Sequence, residues 1–144
     1  MNAHNHFATR HPGPRTLVHG DLRCENLLFT DEECWTVDWQ TPQESSPVTD
    51  ITYFLGSSLE VEDRRKWERD ILREYREQLA ALEVHLDFDE VWAQYREQSM
   101  HGLLLTILGS SFSSPGERSD RMFRTVIERQ LQHCLDMEAG DFLP

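Results

Sequence analysis

The residues whose types and spacing could do chemistry are concentrated in one stretch, His19-Gly20-Asp21-Leu22-Arg23-Cys24-Glu25-Asn26. Asp38 follows twelve residues after Asn26, between Val37 and Trp39. One carboxylate, an amide five residues on, and a second carboxylate at the end of a β-favouring run are the groups that phosphoryl transfer from Mg-ATP to a hydroxyl requires. The first carboxylate would orient the hydroxyl and accept its proton. The amide and the second carboxylate would hold magnesium, a hard cation that takes oxygen ligands. A plainer reading stands beside this one: Asp, Asn and Gly are turn formers, and several of them around a hairpin need not share a site.

The elements that must position these groups can be read from the surrounding texture. TLVHGDL, NLLFT and CWTVDW are short apolar, β-favouring runs, and the acidic residues at 31–33 form a turn between the last two. They predict an extended entry, a loop and a hairpin. An antiparallel hairpin that starts at Asn26 and ends at Asp38 places both at the same end of the ribbon. TPQESSPVT reads as a loop, and helices are predicted over 50–59, 63–83, 88–109 and 116–138. In the second helix Trp67, Ile71, Leu72, Tyr75, Leu79 and Leu82 predict one apolar face. The third has Asp87 and Glu90 placed as a capping pair, and the fourth opens with Ser114 as cap and Pro115 at the first helical position. The expected class is α+β, mainly α: a short β hairpin carrying the loop, followed by a helical bundle. Residues 1–15 read as a flexible tail and 16–144 as one folded unit, with loop and hairpin at 16–40 and the helical part at 48–139.

A chain of 144 residues with 38% hydrophobic and 10% aromatic content suits one compact core. Its 26 acidic residues against 14 basic ones give a net charge of -12, which repels nucleic acid and anionic membranes. Cys24, Cys34 and Cys134 form no C-x-x-C pair, so neither a disulfide framework nor a zinc site is expected, and the setting reads as reducing and cytoplasmic. No apolar run is long enough to span a membrane, and no signal-peptide core is recognisable near Met1. His4, His6 and His11 invite a metal reading, but no carboxylate or thiol accompanies them at ligand spacing. Cys24 has only Arg23 nearby to activate it as a nucleophile.

HGDLRCENLLF followed by TVDWQ resembles the H-x-D-x-x-x-x-N catalytic loop and metal aspartate of the aminoglycoside phosphotransferase and choline kinase-like superfamily, distant relatives of protein kinases. Asp50-Ile51-Thr52-Tyr53-Phe54-Leu55 is similar to a helix-opening segment after that aspartate in many bacterial members. The likeness is strongest over about residues 16–60. It implies a protein-kinase-like C-terminal lobe in which Asp21 is the catalytic base and Asn26 and Asp38 are magnesium ligands. His19 would fix the loop backbone, and Asp50 would anchor the loop through backbone hydrogen bonds, or simply cap its helix. Arg23 would neutralise the transferring phosphate, or simply pair with Glu25. Leu28 and Val37 would form the lower wall of the adenine pocket, or be ordinary core. The implied cofactors are Mg2+ and ATP, and the implied partner is a small molecule bearing a hydroxyl.

Departures from that family shape the remaining expectations. Asp38-Trp39-Gln40 stands where protein kinases carry D-F-G, no A-P-E follows, and Gly20 replaces their loop arginine; a small-molecule acceptor is therefore preferred over a protein one. Only 18 residues precede His19, and Lys66 is the sole lysine, so an N-terminal ATP-clamping lobe is not recognisable. The isolated chain is accordingly expected to have negligible kinase activity. It is also expected to pair, as a homodimer, through apolar surface around Leu17, Leu27, Leu28, Val37 and Trp39 that such a lobe would cover. The alternative is a non-catalytic kinase-like remnant serving as a binding or dimerisation module. A third reading, a metal-dependent phosphohydrolase built on His19, Asp21 and Asp38, would need further histidine ligands, and His85, His101 and His133 are spread singly along the chain.

Overall fold

A computed structural model describes residues 13–143. The His4, His6 and His11 reading and most of the expected tail lie outside that range. At its start Arg15 donates from Nε to the Glu44 carboxylate at 2.7 Å.

The chain opens with β1 (Thr16–Val18), passes through the loop and a 3-10 turn (Cys24–Asn26), and enters β2 (Leu27–Phe29) and β3 (Cys34–Thr36). β2 and β3 form the expected hairpin, with Leu28 opposite Trp35. A fourth strand, β4 (Gln43–Ser45), pairs antiparallel with β1, Thr16 opposite Ser45. Its segment reads as loop because its residues are polar; backbone pairing alone makes it a strand. Two two-stranded ribbons therefore flank the loop.

Among the described residues four α-helices follow, α1 (Val48–Ser58), α2 (Val61–Ala81), α3 (Phe88–Phe112) and α4 (Glu117–Asp136), and then a 3-10 turn (Ala139–Phe142). α3 packs against both α1 and α4. Val48, Leu55, Leu72, Leu86, Val91, Tyr95 and Met137 form the core cluster. Asp87 caps α3 by accepting the Asp89 N–H at 2.8 Å, satisfying one orphan donor of the first turn. The expected cap at Ser114 is not formed. α4 starts after Gly116 with no side-chain cap, because Ser114 and Pro115 lie in the connection before it.

The apolar face of α2 also differs from expectation. Leu72 is core and Ile71 and Leu79 pack against it as expected, but Trp67 and, just past the helix, Leu82 are exposed, while Arg64 and Glu68 are both buried. Arg64 pairs with Glu68 at 2.5 Å and also with Asp136 of α4. Tyr95 of α3 donates its hydroxyl to Glu68 at 2.9 Å. Three helices are thus joined by a buried charged network that hydrophobic periodicity does not reveal.

His133 is fully buried beside Tyr95, at 4.8 Å between ring centroids, and both its ring nitrogens lack a hydrogen-bond partner among the described residues. A Cβ on Gly56 would meet its Nδ1 at 2.4 Å, so α1 crosses α4 at a distance that only glycine permits. Burial, aided by the Arg64 charge, pushes the His133 pKa from 6.5 down to about 3. Above pH 6.5 the ring is neutral in both folded and unfolded chains and contributes no pH dependence. Below it the unfolded chain takes up a proton that the folded one refuses, so stability falls by about 1.4 kcal/mol per pH unit until about pH 3. Urea unfolding at pH 7 and pH 5 is expected to show roughly 2 kcal/mol more acid loss for the native chain than for His133→Gln. Equal losses would contradict the burial account.

Candidate active site

The loop after β1 is held from three sides. Asp50, in the first turn of α1, accepts the backbone N–H of His19 at 2.7 Å and of Gly20 at 3.0 Å. His19 is buried; its Nδ1 accepts the Asp21 N–H at 3.2 Å, which leaves the hydrogen on Nε2 to be donated to the Val37 carbonyl at 2.9 Å. The ring therefore ties the loop to the end of the hairpin, with Trp39 packed on it at 4.7 Å. Gly20 has φ +83, and a Cβ there would meet the Thr41 carbonyl at 2.4 Å. Any side chain at this position would be both strained and blocked.

Asn26 is buried at the end of the 3-10 turn. Its Nδ2 donates to the Asp21 carbonyl at 2.8 Å and to the Asp21 carboxylate at 3.2 Å. With the amide nitrogen engaged inward, Oδ1 is the atom left for an outside partner. The hairpin ladder ends on Val37 N–H donating to the Asn26 carbonyl at 2.9 Å, so Asp38 leaves the ribbon at the end where Asn26 enters it. Asp38 is exposed and has φ +66, a left-handed conformation that Asp tolerates better than most residues. An amide oxygen and a carboxylate at one end of a ribbon are hard donors that suit magnesium retaining several waters. Among the described residues, no three His, Cys, Asp or Glu side chains gather as a metal cluster, and His85 lies in the turn after α2 while His133 is enclosed by helices.

Arg23 turns toward Asp21, Nε to Oδ2 at 3.5 Å, and donates from Nη1 to the Met122 sulfur at 3.3 Å. Its ion-pair partner is the loop carboxylate rather than Glu25. Leu28 is exposed on the hairpin and Val37 is half-buried. Leu17, Phe29, Trp35 and Trp39 are, like Leu28, more than half exposed, with the cross-strand pair Leu28 and Trp35 on one face of the hairpin and Phe29 on the other, whereas Leu27 is half-buried.

Beside Asp21 opens a cavity of about 340 Å³. Its lining includes the polar residues Asp21, Arg23, Thr41, Tyr53 and Thr106 and the apolar residues Leu108, Phe112 and Phe123. Sequence spacing does not find Tyr53 or Thr106, because they come from α1 and α3, but Tyr53 stands three residues after Asp50, on the same side of α1. Burial raises the Tyr53 pKa to about 12, with its Thr106 hydrogen bond working against the rise and the Asp21 charge adding to it.

The family model described as the ecdysteroid kinase-like family matches residues 2–88, more than half of the chain. No curated protein and no solved structure matches.

Proposed function

This chain belongs to the ecdysteroid kinase-like family, and from that premise we propose that it carries the base, metal ligands and acceptor cavity of an ATP- and magnesium-dependent phosphotransferase acting on a small-molecule hydroxyl. The observation that carries the reading is Asp21 at the mouth of the cavity, with Asn26 bonded to it and Asp38 at the adjoining end of the hairpin.

The roles follow from the donors available. Asp21 accepts the proton of the acceptor hydroxyl as the oxygen bonds to the γ-phosphorus and the bond from that phosphorus to the bridging oxygen of the departing diphosphate breaks. Asn26, through Oδ1, and Asp38 would hold magnesium, which when bound neutralises charge on the nucleotide phosphates. Arg23 balances the Asp21 carboxylate and is near enough to face a transferring phosphoryl group. Asp50 and His19 keep the loop backbone in one conformation, so the base is positioned before the acceptor arrives. Leu28 and Val37 would offer apolar surface to the adenine ring. Lys66, the single lysine, lies on α2 with its ammonium 4.4 Å from the Trp67 ring, which leaves Arg23 and the metal to meet the phosphates.

Incubation of the full chain with γ-labelled ATP, magnesium and a panel of hydroxylated small molecules tests the proposal. Label on an acceptor hydroxyl at a low rate, lost in Asp21→Asn, is the expected result, because phosphate positioning by these residues rests on the metal and Arg23 alone. Failure with every acceptor would favour a second reading, a non-catalytic module that associates, including as a homodimer, through exposed apolar residues of the ribbons such as Leu17, Leu28, Trp35 and Trp39.

A further inference from the structure

We infer that Tyr53 is the positioning residue for the acceptor, its hydroxyl donating to the acceptor's hydroxyl oxygen and so turning the acceptor's own O–H toward Asp21. The inference rests on the phosphotransferase reading above. Tyr53 is only 6% exposed yet lines the cavity that Asp21 also lines. Its hydroxyl meets the Thr106 hydroxyl at 3.5 Å, beyond the usual range for an O–H···O bond, and the Asp21 carboxylate is the other group close enough to act on it. Thr106 already commits its hydrogen to the Gly102 carbonyl at 2.9 Å, so within this pair the phenol is the donor.

A buried phenol with so long a bond is under-satisfied, and a hydroxyl oxygen entering the cavity would give it a better partner. Because burial holds the phenol protonated far above neutral pH, the donor is permanent. A hydroxyl oxygen that accepts from Tyr53 still has its own hydrogen to donate, and the carboxylate sharing the cavity is Asp21. Tyr53 thereby selects hydroxyl over hydrocarbon at that point and sets the direction of the proton to be removed.

Benzyl alcohol and toluene, nearly equal in shape and differing by one hydroxyl, are suitable probes. Each is titrated into the native chain and into Tyr53→Phe, with the methyl signals of Leu105, Thr106 and Leu108 as the readout. Loss of one neutral hydrogen bond is expected to weaken benzyl alcohol roughly 3- to 10-fold in the variant, with toluene changed by less than about 2-fold. In the native chain the benzylic protons are expected to show contacts with the Tyr53 ring, an observation independent of whether the variant folds. Equal weakening of both probes, unchanged benzyl alcohol affinity, or no benzylic contact with Tyr53 would overturn the inference. Neither nucleotide nor metal enters this measurement. An absence of phosphoryl transfer would therefore sink the parent reading alone, and a failed hydroxyl preference would remove only the role of Tyr53.

Discussion

Asp21→Asn is expected to lower phosphoryl transfer to a hydroxyl acceptor by about 10²- to 10⁴-fold, the range of a lost general base. The change keeps the side chain's size and one oxygen that can orient the acceptor, but it removes the group able to take the proton. The loop should survive it. The backbone there is fixed by Asp50 and His19, and the Asn26 amide retains its 2.8 Å bond to the residue 21 carbonyl. The loss should therefore fall on kcat, with KM for the acceptor little altered. A decrease of less than about 10-fold would mean that Asp21 is not the base.

The second large effect is on stability. Arg64→Ala is expected to cost about 3–5 kcal/mol, because it leaves carboxylates without their buried counter-charge. Glu68, itself 6% exposed, would retain only the Tyr95 hydroxyl, whereas Asp136 would keep Arg65 at 2.8 Å. The Arg65 hydrogen bond is the main reason Asp136 lies well below the usual carboxylate range, so that exposed pair should persist. For a chain of this size the loss corresponds to a fall of roughly 10 °C or more in Tm. A shift below about 3 °C would show that the network is not a joint between α2, α3 and α4.

Most of the architecture was legible because it is written in local periodicity. The three-to-four-residue recurrence in α2, α3 and α4 marks helices, and the two apolar runs around 31–33 mark the hairpin. What was hidden depends on partners distant in sequence. β4 is polar and needs β1 to exist. Arg64 and Glu68 look like solvent-facing charges until Asp136 and Tyr95 are brought beside them. The loop residues from His19 to Asn26 stood out because their spacing is itself the signal. Tyr53 and Thr106 did not, since 53 positions separate them and only the packing of α1 on α3 makes them neighbours.

The central claim is that this chain carries a phosphotransfer metal site, and manganese titration with paramagnetic line broadening tests it most directly. Manganese takes the same oxygen donors as magnesium. Broadening is expected to centre on Asn26, Asp38 and the adjoining loop at millimolar or lower metal, and to be lost in Asp38→Ala, where one uncharged amide oxygen remains as a protein ligand. Equal broadening in the native chain and in Asp38→Ala, or broadening spread over the acidic helix surfaces with none at the hairpin end, would contradict it.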